Sequence, residues 1–235
     1  MKVELCDASE TVDSPPTHAR PTSTKGRTRQ MTNESFSDYS VERLYVDQAE
    51  LASVERQYAL EMHYMRYHFA RQIVSGVVLD IASGCGYGTY MLTKKAPNVQ
   101  LVIGVDGSAD AIEHANRHFS TDKNIFVHSS VESFQYDGPI DWAVSIETIE
   151  HLKEPKDLVR LCQRQQIQNV LLTHPIRRTT HYNKYHLHDF QVGDMAKLFA
   201  PDYEVVDQYQ YHREFIYSVL KRGHLELRSE ERANT

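Results

Sequence analysis

The sequence predicts an α/β fold built on a mostly parallel sheet with helices on both faces, and three observations predict it. The first is the run Val77-Val78-Leu79-Asp80-Ile81-Ala82-Ser83-Gly84-Cys85-Gly86-Tyr87-Gly88, an apolar strand that ends in an acid and opens into a glycine-rich turn. The second is residues 101–106, another apolar run ending in an acid, Asp106, after which Ser108 can cap a helix over 109–119. The third is recurrence. Apolar runs at 125–128, 141–146 and 169–173 alternate with helical patterns, as in βαβ units that share one sheet.

The glycine turn leads into a helix over 89–95, so strand, turn and helix start form a nucleotide-type cradle. Glycine permits positive φ and lets a ligand approach the backbone closely. A pyrophosphate cradle would read G-x-G-x-x-G. The spacing here is G-x-G-x-G, with Asp80 four residues before the first glycine, and a carboxylate there suits a cationic ligand better than a phosphate. Asp106 follows the turn by about 20 residues, where an acid can accept hydrogen bonds from both ribose hydroxyls.

Ahead of the cradle, residues 46–73 read as a helix with an apolar face at Leu51, Val54, Tyr58, Met62, Met65 and Phe69. Residues 155–166 form another helix, with Pro155 tolerated in its first turn, and 192–199 a third. The runs 203–207 and 215–220 are expected to be a closing antiparallel pair, with Tyr209 and Tyr211 as edge packing.

Composition fits one folded domain with extensions. The chain has 235 residues, 40% hydrophobic and 25% charged, which is enough to bury a full core. No apolar run is long enough to span a membrane, and the polar N-terminus lacks a signal-peptide core. Three cysteines without paired spacing argue for a reducing, cytoplasmic setting and against a disulfide framework or a thiolate zinc site. A net charge of −6 disfavours broad nonspecific binding to nucleic acid. Residues 1–40 are proline- and serine-rich, locally basic and without periodicity, so a disordered tail is expected there. The folded domain is expected over 41–222, with a charged tail over 223–235. Met31 is a candidate alternative start, which the intact mass of the native protein tests.

The acid-ended strand, the glycine turn and Asp106 together resemble the class I S-adenosylmethionine (SAM) methyltransferases, over roughly residues 45–220. The segment with His63, Arg66, Tyr67, Phe69, Ala70, residues 79–82 and 86–88 is similar to bacterial and phage methyltransferases associated with surface polysaccharides. The resemblance implies a Rossmann-like seven-stranded fold and SAM as cofactor. It implies cofactor contacts from Asp80, Ala82, Gly84, Gly86, Asp106, Gly107, Ser130, Val131 and Glu147. Many relatives carry an Asp for the adenine amino group where this chain has Ser130, so Ser130, the backbone of Val131 or Glu132 is left to make that contact.

Two segments carry the acceptor chemistry. Glu147-Thr148-Ile149-Glu150-His151-Leu152 follows the fourth strand and should lie beside the methyl group, because ligands in open α/β sheets sit at the C-terminal strand ends. It resembles a signature shared by ubiquinone-type O-methyltransferases and by small-RNA 2′-O-methyltransferases. After the fifth strand, His174, His181, His186 and His188 fall within fifteen residues. The stretch 183–190 is similar to an acceptor-facing element of the polysaccharide group. His186, His151 and Glu147 are therefore the expected catalytic residues, with an imidazole as base or anchor. The expected reaction is methyl transfer to a small-molecule or saccharide hydroxyl, with no metal. Two alternatives stay open. One is metal-assisted 2′-O-methylation of RNA, with Glu147, Glu150, His151 and His186 as ligands. The other is a SAM-binding partner protein that has lost catalysis.

Overall fold

A computed structural model describes residues 54–223. The readings of the N-terminal tail, of the helix before Val54 and of residues 224–235 lie outside the described residues.

Seven strands form one sheet: β1 (Gly76–Ile81), β2 (Val99–Asp106), β3 (Asn124–His128), β4 (Trp142–Ile146), β5 (Asn169–Pro175), β6 (Tyr203–Tyr211) and β7 (Phe215–Arg222). Their order is β3-β2-β1-β4-β5-β7-β6. Strands β1 to β5 pair in parallel, and β7 runs antiparallel to both β5 and β6. This is the seven-stranded, mostly parallel architecture that the sequence predicts. Because β5 and β6 flank β7, a single strand is reversed. The strand order reverses direction between β1 and β4, which opens a crevice at their C-terminal ends.

The helices divide between two half-cores. On one face, α1 (Val54–Ile73) and α2 (Tyr87–Thr93) cover Val78, Val102, Val144 and Leu171. On the other, α4 (Lys156–Arg164) and α5 (Asp194–Phe199) cover Leu79, Ile103, Ala143, Val170 and Leu172. Successive strand residues thus feed opposite cores, which is why these strands read as unbroken apolar runs rather than alternating ones. α3 (Ala109–Phe119) starts where the sequence places it, and the Ser108 hydroxyl accepts from the Ala111 N–H. No described helix is long and apolar enough to cross a membrane.

Two elements depart from expectation. β5 continues through His174 and Pro175, paired to Ile216 and Phe215 of β7, so His174 is a buried strand residue and not a loop group. In α1 the buried residues are Leu60, Arg66, Tyr67 and Ala70, while Tyr58 is exposed and Met62, Met65 and Phe69 are only partly buried. The expected apolar residues pack at the margin of the core, and the deepest places go to Leu60, Tyr67 and Ala70 with the charged Arg66 among them.

Candidate functional site

The crevice at the ends of β1, β2 and β4 holds a cavity of about 410 Å³, walled by the glycine turn, the end of β2, residues 129–132, residues 146–152 and one face of α1. Ala82, Gly84, Asp106, Gly107, Ser130, Val131 and Glu147, the expected cofactor contacts, all line it, with Glu132 beside them.

The turn is organised by Asp106. One carboxylate oxygen accepts from the Gly84 N–H at 2.9 Å and the other from the Ser108 N–H at 2.8 Å. The chain at Ala82 takes φ of 57°, a left-handed state that costs a non-glycine residue about 1–3 kcal/mol. Gly84 has φ of 56°, and a Cβ there would meet nothing within 4 Å, so its open side is available to a ligand. Gly86 is different. A Cβ on it would lie 2.5 Å from the Ala115 Cβ, so it lets the turn pack on α3 and does not line the cavity.

Asp80 also departs from its expected place. It is fully buried beneath the turn, where it accepts from Thr89 Oγ1 at 2.6 Å and Tyr67 Oη at 3.1 Å, and it does not line the cavity. Burial raises its pKa to about 7, against the lowering effect of the two hydroxyls. Asp80 therefore fastens α1 and α2 under the cradle, and its reach to a ligand runs through Tyr67.

His63, Tyr67 and Tyr87, aromatic and basic members of the segments that carry the family resemblance, also line the wall, together with Ser83, Cys85, Ser129, Thr148 and Tyr185, which the sequence did not single out as wall residues. His63 Nδ1 lies 2.9 Å from Tyr87 Oη, and burial pushes its pKa down to about 3, so the ring is neutral. The Ser83 hydroxyl is buried without a hydrogen-bond partner among the described residues. A buried hydroxyl of this kind is ordinarily satisfied by a water, an ion or another group that enters the cavity.

Glu147 occupies a left-handed backbone state, φ 47°, at the end of β4. Its Oε1 accepts from Thr173 Oγ1 at 2.8 Å and its Oε2 meets Arg66 Nη2 at 3.3 Å. Both oxygens are engaged, so Glu147 is placed to orient rather than to take a proton. His151 lies in the wall on a one-turn 3₁₀ helix (Ile149–His151), with Nδ1 3.1 Å from the Tyr185 carbonyl. A carbonyl only accepts, so Nδ1 carries hydrogen and Nε2 holds the lone pair in the neutral ring. His151 Nε2 faces Glu150 Oε1 at 3.9 Å.

His186 stands behind His151, edge-on at 4.6 Å between ring centroids, and does not itself line the cavity. The loop carrying it is pinned twice. The Leu187 N–H donates to the Glu150 carbonyl at 2.8 Å, and Asp189 accepts from the N–H groups of Thr179 and Thr180. Thr179 Oγ1 is 2.7 Å from His186 Nδ1 and 3.4 Å from Asp189. The run from Nδ1–H through the hydroxyl to the carboxylate assigns the His186 lone pair to Nε2. Burial, with the neighbouring His151, lowers the His186 pKa to about 4. His181 is exposed, and His188 Nε2 lies against the Leu152 carbonyl at 2.9 Å. One ligand atom each from Glu150, His151 and His186 lies within 4.8 Å of the others. Glu147, the remaining residue of the expected metal set, is held by Arg66 and Thr173 instead.

The methyltransferase-domain family matches residues 78–166. Ubiquinone biosynthesis O-methyltransferase, mitochondrial, of Schizosaccharomyces pombe is 34% identical over 87 residues, covering 35% of this chain. The chain spans about a third (31%) of the length of that relative. A chain of the Haloferax volcanii Trm112 methyltransferase-activator complex superposes with a TM-score of 0.61 at 14% identity, covering 72% of this chain and 93% of that one. The DhpI complex with S-adenosylhomocysteine gives 0.56 at 20% identity, covering 72% and 87%. At such identities the solved structures speak for the fold. A glycine turn open toward the cavity at Gly84, an acid at Asp106 and a polar wall at residues 129–132 fit SAM, and the matched domain spans the turn, the acid and that wall. Residues 78–166 thus match a methyltransferase domain, and the seven-stranded sheet that carries them has the fold of these solved structures.

Proposed function

We propose that the chain transfers a methyl group from SAM to a hydroxyl of a small molecule or saccharide. One observation carries the reading: His151 lies in the wall of the same cavity as the Gly84–Asp106 cradle, so an acceptor beside its imidazole is within reach of the methyl group. The Schizosaccharomyces pombe relative, named for O-methylation in ubiquinone biosynthesis, is compatible with a small-molecule hydroxyl.

Bound SAM supplies a methyl group on a sulfonium that a nucleophile displaces in line. The residues align the reactants and handle the proton. Asp106 and the Gly84 backbone hold the ribose and methionine portions, and α1 shields the cavity through His63 and Tyr67. Glu147, fixed by Thr173 and Arg66, lines the wall beside the acceptor. His151 takes the hydroxyl proton on the nitrogen opposite the Tyr185 carbonyl. His186 supports it from behind as a neutral ring.

A second reading is favoured by the cluster of Glu150, His151 and His186. One carboxylate and two imidazoles bring ligand-type atoms within 4.8 Å of one another, a donor set that suits Mg, Mn or Fe better than zinc's thiolate sites do. A divalent cation there would polarise the acceptor oxygen, as the RNA 2′-O-methylation alternative requires. Release of S-adenosylhomocysteine over a pool of hydroxyl acceptors, with and without EDTA, tests both. Turnover that survives EDTA and falls about 10²–10⁴-fold in His151→Ala supports the first reading. Turnover abolished by EDTA and by Glu150→Ala supports the second. SAM binding without turnover on any acceptor would leave the non-catalytic partner protein.

A further inference from the structure

Arg66 has a placement that methyl transfer alone leaves unexplained. It projects from α1, is 6% exposed, and its guanidinium lies 3.9 Å from the centroid of the Phe215 ring. Its Nη2 meets Glu147 at 3.3 Å, while its Nε is buried without a hydrogen-bond partner among the described residues. Thr173 holds the other Glu147 oxygen at 2.8 Å. Glu147 stands at the end of β4 with a left-handed φ of 47°, two residues before the 3₁₀ helix that carries Glu150 and His151. Glu150, His151 and His186 form the ligand-type group, while the carboxylate of Glu147, which lines the same cavity as His151, is turned to Arg66.

We propose that Arg66 is a positioning residue that keeps Glu147 out of a divalent-cation site at Glu150, His151 and His186, so that the site keeps positions open for the acceptor. The proposal rests on the cation reading above and adds the residue that sets its ligand count. Catalytic metal sites retain open positions, whereas sites closed by protein ligands are structural. One carboxylate and two neutral imidazoles leave a divalent ion with a net charge of +1. A second carboxylate would cancel that charge, fill a position and weaken the pull on an acceptor oxygen. The Arg66 guanidinium, wedged between Phe215 and Glu147, holds that carboxylate by a charge-assisted contact.

Calorimetric titration of Mn²⁺ into the full-length protein tests this without any acceptor. Arg66→Gln should bind Mn²⁺ at least tenfold more tightly than wild type, because Glu147 is released to join the site. Arg66→Lys should bind as wild type does, and so should Glu147→Gln. The double variant Arg66→Gln with Glu147→Gln should return to wild-type affinity. If Arg66→Gln does not fold, Thr173→Val frees Glu147 from its other side and should tighten binding in the same direction by a smaller factor. Wild-type binding with no change in Arg66→Gln or Thr173→Val would overturn the proposal and leave the cation reading standing. Mn²⁺ binding lost in Glu147→Gln would show Glu147 to be a ligand already and would also overturn it. Wild-type protein that binds no Mn²⁺ at millimolar concentration would remove the cation reading and this proposal together.

Discussion

Three glycines in the turn do three different jobs, and single methyl groups separate them. Gly84 faces open space, Gly86 meets α3, and a Cβ at Gly88 would fall 2.1 Å from the ring of Tyr67. Gly84→Ala should therefore cost the fold only the left-handed strain, about 1 kcal/mol, while the added methyl meets the incoming cofactor and lowers SAM affinity about tenfold. Gly88→Ala should instead displace Tyr67, and with it α1, at a cost of about 1–3 kcal/mol typical of overpacking. Thermal denaturation and SAM titration on the same two variants check the contrast. Equal stability losses would mean that the turn is uniformly structural. The residue scale also corrects the plain reading of the sequence. Asp80 stands where a cofactor acid is expected, yet its carboxylate is spent on Thr89 and Tyr67.

At the scale of elements, the loop after β5 is a built structure. Asp189 gathers the amides and hydroxyls of Thr179 and Thr180, and Thr179 passes that order to His186. Asp189→Ala should raise amide exchange over residues 179–188 at least tenfold and reduce turnover, while SAM affinity stays within twofold, since none of these bonds touches the cradle. Protected amides in the variant would contradict this. The strands and α3 were legible in the sequence because buried parallel strands declare themselves as apolar runs and Ser108 declares a cap. The cradle was legible because Gly84 and Asp106 act through backbone geometry that few other residue types can serve. His63 and Tyr67 came into view through the family resemblance and not through the apolar period of their helix. Tyr185 was not legible as a wall residue, because it reaches the cavity by packing across elements distant in sequence. The continuation of β5 through His174 was hidden by Pro175, which can sit at the end of this strand because it lies at the last pair of the ladder.

For the molecule as a whole, buried titrating groups pull stability in opposite directions with pH. His63 and His186 have folded pKa values of about 3 and about 4, below the ordinary 6.5. The unfolded chain thus binds more protons below pH 6.5, and the stability linked to both rings is full above that pH and lost as pH falls toward 4. Asp80 behaves oppositely. Its folded pKa of about 7 exceeds the ordinary 3.8, so its contribution is full below pH 4 and lost as pH rises through 7. The melting temperature should fall between pH 6.5 and pH 4.5, and fall more steeply in Asp80→Asn, where the opposing contribution is gone. Parallel melting curves for the two proteins would refute the placement of Asp80 as a buried acid. Whether the cavity at the β1–β4 crevice is the SAM site is tested most directly by calorimetric titration of SAM into wild-type and Asp106→Ala protein. Micromolar binding by the wild type, weakened at least a hundredfold in the variant, is the result predicted. A folded wild-type protein that binds no SAM would contradict it and reduce the glycine turn to scaffold.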